Sequence, residues 1–276
     1  MSQTAAGDAT LTDALAAQIL SSAKYRGLDP ALVRRFTAEA AGRFADRGRA
    51  AKYARRKLHQ AYGAFLAGSP AQAVTGVTEA VQSGRLPLRE AALAAMRSHV
   101  SAAERAQWLD PFGEQIGQWS GSPRSVADLA CGLGPLAIPW LPLAADASYW
   151  ACEIDARLVA ALAGLGAVMP AAITAVTRDL VSSPPELRAD LALLLKTVPT
   201  LEQQRPGASA RLLAGLDCAH VVMSLPRTSL GGRQYADDAD ALARQVTGGT
   251  GYAVRGTAAF GNEVLYLLEP EPYSPR

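Results

Sequence analysis

The chain has 276 residues, of which 49% are hydrophobic and 19% charged, with a formal net charge of +2. That length supplies one large domain or two unequal ones, with ample material for a core. No run of about 20 apolar residues is present, so no helical membrane span is expected, and the first ten residues lack the basic-then-apolar pattern of a secretory signal. Cys131, Cys152 and Cys218 lie far apart without a C-x-x-C pair and read as reduced core residues of a cytoplasmic protein. His59, His99 and His220 lack metal-ligand spacing, so no metal site is expected.

The small net charge hides an asymmetry. Residues 24–57 hold eleven Lys or Arg against three acids, a net of +8, whereas residues 121–276 carry a net of −3. A basic first half joined to a slightly acidic second half predicts an anionic partner docking on the first.

Leu11, Leu15, Ile19 and Leu20 recur at helical spacing over residues 10–24. Asp29-Pro30 reads as an N-cap followed by Pro in the first turn, opening a helix with Leu32, Val33, Phe36 and Ala40 inward and an Arg-rich outer face. Arg47-Gly48-Arg49 is expected to break it. A helix from about Ala50 to Phe65 follows, on which Lys52, Arg55, Arg56 and His59 share one face. With Lys57, these form a phosphate-contacting stripe in expectation. Gly68-Ser69-Pro70 ends that helix, and Ala71–Gln82, Pro87–His99 and Ala102–Trp119 read as three more. Ser120-Gly121-Ser122-Pro123 marks a boundary between an all-α domain, 1–120, and a second domain, 121–276.

Beyond it, strand and helix patterns alternate. Ser125–Ala130, Ser148–Glu153, Ala172–Thr177, Asp190–Lys196, His220–Leu225, Gly251–Gly256 and Glu263–Glu269 read as strands. Asp155–Leu165, Thr200–Leu216 and Ala236–Val246 read as helices. The class is α/β: a Rossmann-like, mostly parallel sheet of about seven strands, the last two forming an antiparallel hairpin, behind an all-α N-terminal domain.

The strand ends carry the chemistry, since ligands of such sheets bind at the carboxyl edge. The first strand runs through Asp128-Leu129-Ala130-Cys131-Gly132-Leu133-Gly134-Pro135, a small-residue turn where a ligand can approach the backbone. This stretch fits both the loose G-x-G-x-x-G/A dinucleotide pattern and the D-x-G/A-x-G-x-G loop of S-adenosylmethionine (SAM) enzymes. Pro135 suits the first turn of a following helix. The second strand ends at Glu153, 21 residues after Gly132, where an acid can accept ribose hydroxyls. The third ends at Asp179-Leu180, an acid and an apolar residue suited to an adenine edge and face. The fourth ends at Lys196. Asp155 reads as the N-cap of the next helix. Three acids at successive strand ends fit adenosine recognition by a methyltransferase better than NAD.

These residues resemble the aminoglycoside-resistance 16S rRNA methyltransferases of the guanine-1405 N7 group. The likeness is carried by Lys57-Leu58-His59-Gln60-Ala61-Tyr62-Gly63-Ala64-Phe65-Leu66, the Glu104-Arg105 pair, Asp128-Leu129-Ala130-Cys131-Gly132-Leu133 and Ile154-Asp155-Ala156-Arg157-Leu158-Val159. It continues through Leu193-Leu194-Leu195-Lys196-Thr197, Leu201-Glu202, Pro226-x-x-Ser229-Leu230-Gly231 and Gly261-Asn262-Glu263. The resemblance implies methyl transfer from SAM to N7 of guanine 1405 in the 30S subunit, with aminoglycoside resistance, a monomeric state and a helical domain docked on 16S rRNA. It also implies that Arg105 contacts the cofactor carboxylate, and that Ala130 and Gly132 line its loop. By the same resemblance Glu153 with Ile154 holds the ribose, Asp179 with Leu180 the adenine, and Tyr62 a wall, while Lys196 and Glu202 are needed for activity. Arg227 and Arg233, after the fifth strand, are expected to contact phosphate or the target nucleotide. A different RNA target, or an RNA-binding homologue with weak SAM affinity, is the alternative. Three positions depart from the family: Gly134 replaces Asn, Glu153 replaces Asp, and Thr200 replaces Cys. The stretch after Gly231-Gly232-Arg233 is also short. Gly134 suggests a looser turn with weaker cofactor binding, which Asn would restore.

Overall fold

A computed structural model describes residues 2–62, 69–228 and 236–272. The chain begins with helices α1 (Ser2–Leu20), α2 (Pro30–Arg43) and α3 (Arg47–Ala61). Asp29 caps α2 by accepting from the Ala31 N–H, with Pro30 in the first turn. Asp46 caps α3 through the Arg49 N–H, so Arg47-Gly48-Arg49 opens α3 and does not break a helix. Helices α4 (Pro70–Gln82), α5 (Leu88–Arg97), the short α6 (Val100–Ala103) and α7 (Leu109–Ser120) follow. The single helix expected over Ala102–Trp119 is divided. Arg105–Gln107 forms a 3-10 turn and Trp108 leaves helical geometry. Pro111 has no N–H to give a preceding turn, so it must lie in the first turn of a new helix.

Among the described residues the sheet has seven strands: β1 (Ser125–Leu129), β2 (Ser148–Glu153), β3 (Ala172–Thr177), β4 (Leu187–Leu195), β5 (Leu216–Pro226), β6 (Tyr252–Phe260) and β7 (Glu263–Pro270). Their order is β3-β2-β1-β4-β5-β7-β6. The first five run parallel, and β7 pairs antiparallel with both β5 and β6. The crossovers use α8 (Ala156–Leu165), capped by Asp155, then α9 (Val198–Gln204), α10 (Ala208–Ala214) and α11 (Ala236–Thr247). The helix expected over Thr200–Leu216 is two helices, because Pro206 removes a donor and Gly207 sits at φ 76°, in the left-handed region. The turn after β1 runs as a 3-10 helix over Gly134–Trp140, with Pro139 inside it blocking α geometry. Among the described residues no helix is long and apolar enough to cross a membrane.

Burial divides the helical half. Leu15, Ile19, Leu32, Phe36, Leu58 and Tyr62 of α1–α3 and the turn after α3 build a core of their own. Val77, Met96, Phe112 and Ile116 of α4, α5 and α7 instead share a core with Val126, Tyr149 and Leu191 of the sheet. A second core on the sheet includes Leu129, Leu194, Leu212 and Met223. The boundary expected near Ser120–Pro123 therefore marks where the sheet begins, while the apolar cores divide earlier, between α3 and α4. The α1–α3 unit is joined to the sheet by backbone. The Asp29 N–H donates to the Ile154 carbonyl at 2.8 Å, and the Ala156 N–H donates to Gly27 at 2.7 Å.

Candidate functional site

The carboxyl ends of β1, β2 and β4 and the loop after β3 open into one cavity of about 360 Å³. Its floor is Ala130–Gly134, Glu153–Asp155, Arg178–Leu180 and Leu195–Thr197. Its roof is the helical half, through Tyr62, Met96, His99, Ala102 and Arg105. Among the described residues, Ala130 at φ 58° and Lys196 at φ 56° are the two non-glycine residues in the left-handed region, and both stand on this rim. Backbone strain of this kind persists only where the surroundings hold it, and it concentrates at functional sites.

The acids at the strand ends differ in state. Asp128 is 2% exposed and accepts from the Tyr149 hydroxyl at 2.6 Å. Burial pushes its pKa up to about 6, although the Tyr149 hydrogen bond and Arg105 pull the other way. Glu153 uses its length to fold back on the chain: its carboxylate accepts from the Gly132 N–H at 3.0 Å and the Ile154 N–H at 2.6 Å. Burial raises its pKa as well. One oxygen is thus tied to the glycine turn and the other to the start of the next loop, with lone pairs left for a ligand hydroxyl.

Asp179 has partners that the sequence did not suggest. Arg35 of α2 donates through Nε to Oδ2 at 2.9 Å and through Nη2 to Oδ1 at 3.2 Å. The Ser182 hydroxyl donates to Oδ2 at 2.6 Å and the Val181 N–H to Oδ1 at 3.1 Å. The same Arg35 Nη2 reaches the Gln204 side-chain oxygen at 2.6 Å, and the Asp179 N–H donates to Asp29. Leu180 is buried beside it and lines the cavity. Asp155 caps α8 and also accepts from the Tyr62 hydroxyl and from Arg157. Tyr62 and Ile154 thereby form a wall in which the α1–α3 unit touches the strand end.

On the other side stands a compact charge cluster. Arg105 donates to Glu263 at 2.6 Å and lies against the Phe112 ring, 5.5 Å from its centroid. Burial alone would lower the Arg105 pKa, but the Glu263 carboxylate beside it keeps it above the usual value. Glu263, on β7, also accepts from the Ser224 hydroxyl at 2.5 Å. Burial would raise its pKa, yet Arg105, Lys196 and Ser224 together hold it below the usual value. The Lys196 ammonium lies 2.5 Å from Glu104 Oε2 and 3.9 Å from Glu263 Oε2. Its backbone N–H donates to Ser224.

Glu202 is not brought to the cavity. Its two oxygens accept from the Gly207 N–H at 2.7 Å and the Ser209 N–H at 2.8 Å, at the start of α10. The Pro206-Gly207 break leaves the first N–H groups of α10 without helical partners, and Glu202 satisfies them. The active-site role expected of Glu202 is thereby replaced by a structural one at the start of α10.

On α3, Lys52, Arg55, Arg56 and His59 are exposed and Lys57 is half-buried. Arg56 and Lys57 flank the Tyr53 ring at 5.2 and 5.8 Å. Among the described residues none of these five forms an ion pair. Arg227 is exposed, and its backbone N–H donates to the Asn262 carbonyl at the β6–β7 turn. Arg233 lies outside the described residues. Sequence reasoning missed Arg35, Gln204 and Ser224, and assigned no role to Glu104 or Glu263. Only the last two carried a signal, as parts of quoted motifs.

The cavity fits an adenosine-type cofactor bearing an amino-acid tail. Acids stand at two strand ends, apolar Ile154 and Leu180 border them, and glycine and alanine keep the β1 turn low. Arg105 lines the cavity, and its Nε is buried without a partner among the described residues.

The ribosomal RNA methyltransferase (FmrO) family model matches residues 21–265. The chain is 49% identical over 253 residues to a 16S rRNA (guanine(1405)-N(7))-methyltransferase of Micromonospora olivasterospora, covering 91% of this chain and 86% of that one. It is 35% identical to the enzyme of the same name from Micromonospora echinospora, over 91% of this chain and 94% of the relative. Among solved structures, the 16S rRNA methyltransferase RmtF in complex with S-adenosyl-L-homocysteine is similar with a TM-score of 0.82 and 28% identity, covering 94% and 98% of the two chains. The 16S rRNA methylase RmtB is similar with a TM-score of 0.77 at 27% identity and the same coverage.

Proposed function

The chain belongs to the ribosomal RNA methyltransferase (FmrO) family, and on that premise we propose that it transfers a methyl group from SAM to N7 of guanine 1405 of 16S rRNA within the 30S subunit. The single observation that carries the reading is the shared cavity: one wall is made of strand ends tipped by Glu153 and Asp179, the other of the helical half whose α3 presents cations outside the cavity.

When bound, the cofactor supplies an electrophilic methyl group on a cationic sulfur. Arg105, on the cavity lining, receives its carboxylate. The backbone of Ala130 and Gly132 admits it closely, and Glu153 with Ile154 receives the ribose. Leu180 covers one adenine face, Asp179 frames the adenine edge from its Arg35 clamp, and Tyr62 closes the wall. Lys196 faces the incoming base, with Glu202 supporting α9 and α10 behind it.

Guanine N7 has an in-plane lone pair and no proton to lose, so no strong general base is required. Rate enhancement then rests on positioning and electrostatics. The base lies in structured RNA and has to be extruded into the cavity. The exposed cations of α3, with Arg227 and Arg233, take the phosphates. The protein acts as a cytoplasmic monomer, and modification of the 30S subunit protects the cell against 4,6-linked aminoglycosides such as kanamycin and gentamicin.

The test is treatment of 30S subunits with protein and SAM, followed by borohydride reduction, aniline cleavage and primer extension. Strand scission at guanine 1405 is the expected result. Label transferred to another nucleotide would move the target, and absence of SAM binding at millimolar cofactor would remove the enzymatic reading.

A further inference from the structure

Alkylation at guanine N7 creates a charge problem. The N7 lone pair forms the new bond to the methyl carbon, the C–S bonding pair stays on sulfur, and the formal positive charge passes from sulfur to the purine ring. No proton is transferred. N7 shares its edge of the base with the O6 acceptor, whereas adenine carries an amino donor at that place. A donor aimed at O6 therefore orients N7 and selects guanine. The Lys196 ammonium, a pure donor, stands on the cavity wall where such a contact is available. An uncompensated ammonium there would oppose the charge arriving on the ring.

The surroundings of Lys196 answer this. Glu263 lies 3.9 Å from Nζ but is committed to Arg105 at 2.6 Å and to Ser224 at 2.5 Å. Glu104 lies 2.5 Å from Nζ, has no other partner among the described residues, and is 45% exposed at its side chain. Two cations and two carboxylates thus close a neutral cluster, with Glu104 as the member belonging to Lys196 alone. Among the described residues Glu104 has no side-chain hydrogen bond or ion pair other than that to Lys196. It follows the short α6 without making a side-chain cap, and a part-exposed ion pair adds little to stability.

We propose that Glu104 is a positioning residue for methyl transfer: it neutralises Lys196, so that Nζ donates to guanine O6 without opposing the positive charge that develops at N7. This rests on the guanine-N7 reading above. The Glu104 carboxylate acts before the chemistry, by fixing where the ammonium points, and during it, by keeping the cluster neutral as the base becomes cationic.

Glu104→Gln keeps the shape and removes the charge. Single-turnover transfer of radiolabelled methyl from SAM to 30S subunits is expected to fall about 100-fold, the low end for loss of one preorganised electrostatic group. Calorimetric SAM affinity and 30S affinity are expected to stay within about twofold, as for loss of an exposed ion pair. Lys196→Gln is also slow, and the double variant Glu104→Gln/Lys196→Gln is expected to be no slower than Lys196→Gln alone, since one residue acts through the other. A wild-type rate in Glu104→Gln, a rate loss matched by lost SAM or 30S affinity, or additive losses in the double variant would each overturn the proposal. If wild-type protein gives no scission at guanine 1405, the N7 reading falls and takes this inference with it. Scission by the wild type with an undiminished Glu104→Gln rate removes this inference alone.

Discussion

Gly134 occupies space that a side chain would contest. A Cβ built there would overlap Oδ2 of Asp128, and that oxygen is held by the Tyr149 hydroxyl. The glycine is thus explained by close approach of the buried carboxylate, and the looser-turn reading gives way to a packing one. Gly134→Asn, the family's usual residue, is expected to lower stability by about 1–3 kcal/mol as an overpacked site and to weaken SAM binding where the sequence suggested tightening. Urea denaturation and calorimetry check both, and a more stable, tighter-binding variant would restore the looser-turn account. Asp128 itself predicts a pH dependence. Its pKa is raised by burial to about 6, so the folded protein binds this proton more tightly than the unfolded chain. Its contribution to stability therefore falls as pH rises from the unfolded value, about 4, through about 6, and is flat above. Asp128→Asn removes that penalty while keeping an acceptor for Tyr149. Measured by denaturation between pH 4.5 and 8 without cofactor, the stability of the variant relative to wild type is expected to rise through that window and level off. A constant difference across it would contradict an elevated pKa.

At the scale of elements, the β-strand ends were the legible part of this protein. Glu153 and Lys196 each close an apolar run, Asp128 stands one residue before the end of β1 and Asp179 two residues after the end of β3, and a parallel sheet brings such ends to one edge whatever its loops do. Helix interruptions were less legible, because a periodic apolar pattern continues through a break: Leu109 and Phe112 keep the spacing of Ala102 and Ala106, although Trp108 leaves helical geometry between them. Partners across the fold were not legible at all. Arg34 and Arg35 are adjacent on α2 and indistinguishable by composition, yet Arg34 meets exposed Asp13 while Arg35 turns in toward Asp179, 144 positions away. Only where each Arg on α2 falls relative to the loop after β3 and to α9 decides between them. That contact makes α2 part of the cavity. Arg35→Ala strands the Asp179 carboxylate, which is 3% exposed, and is expected to cost about 3–5 kcal/mol of stability along with SAM affinity. The double variant Arg35→Ala/Asp179→Asn removes the stranded charge and is expected to regain part of the stability. If it is no more stable than Arg35→Ala in urea denaturation, the pair is not what joins α2 to the strand end.

For the whole molecule, the division of the cores assigns two tasks to different bodies of packed residues. The α1–α3 unit has its own core and presents Lys52, Arg55, Arg56 and His59 outward from α3, while Arg35, Asp29 and Tyr62 contact Asp179 and Asp155 at the strand ends. Helices α4, α5 and α7 share the core of the sheet. The basic surface and the cavity are consequently separable by substitution even though one unit serves both, because the exposed cations of α3 stand outside the cavity lining. Lys52→Ala and Arg55→Ala, which break no ion pair among the described residues, should leave SAM affinity and thermal stability unchanged. Each should weaken 30S binding and reduce the slope of log affinity against log salt by about 1, as expected when one cation no longer neutralises a phosphate. The pair together should reduce it by about twice that amount if both meet phosphates on the same docked surface. Filter binding of 30S subunits across a potassium chloride series reads the slope directly. A slope unchanged in both variants would take rRNA contact away from this face of α3 and transfer it to Arg227 and Arg233, whose variants would then carry the salt dependence.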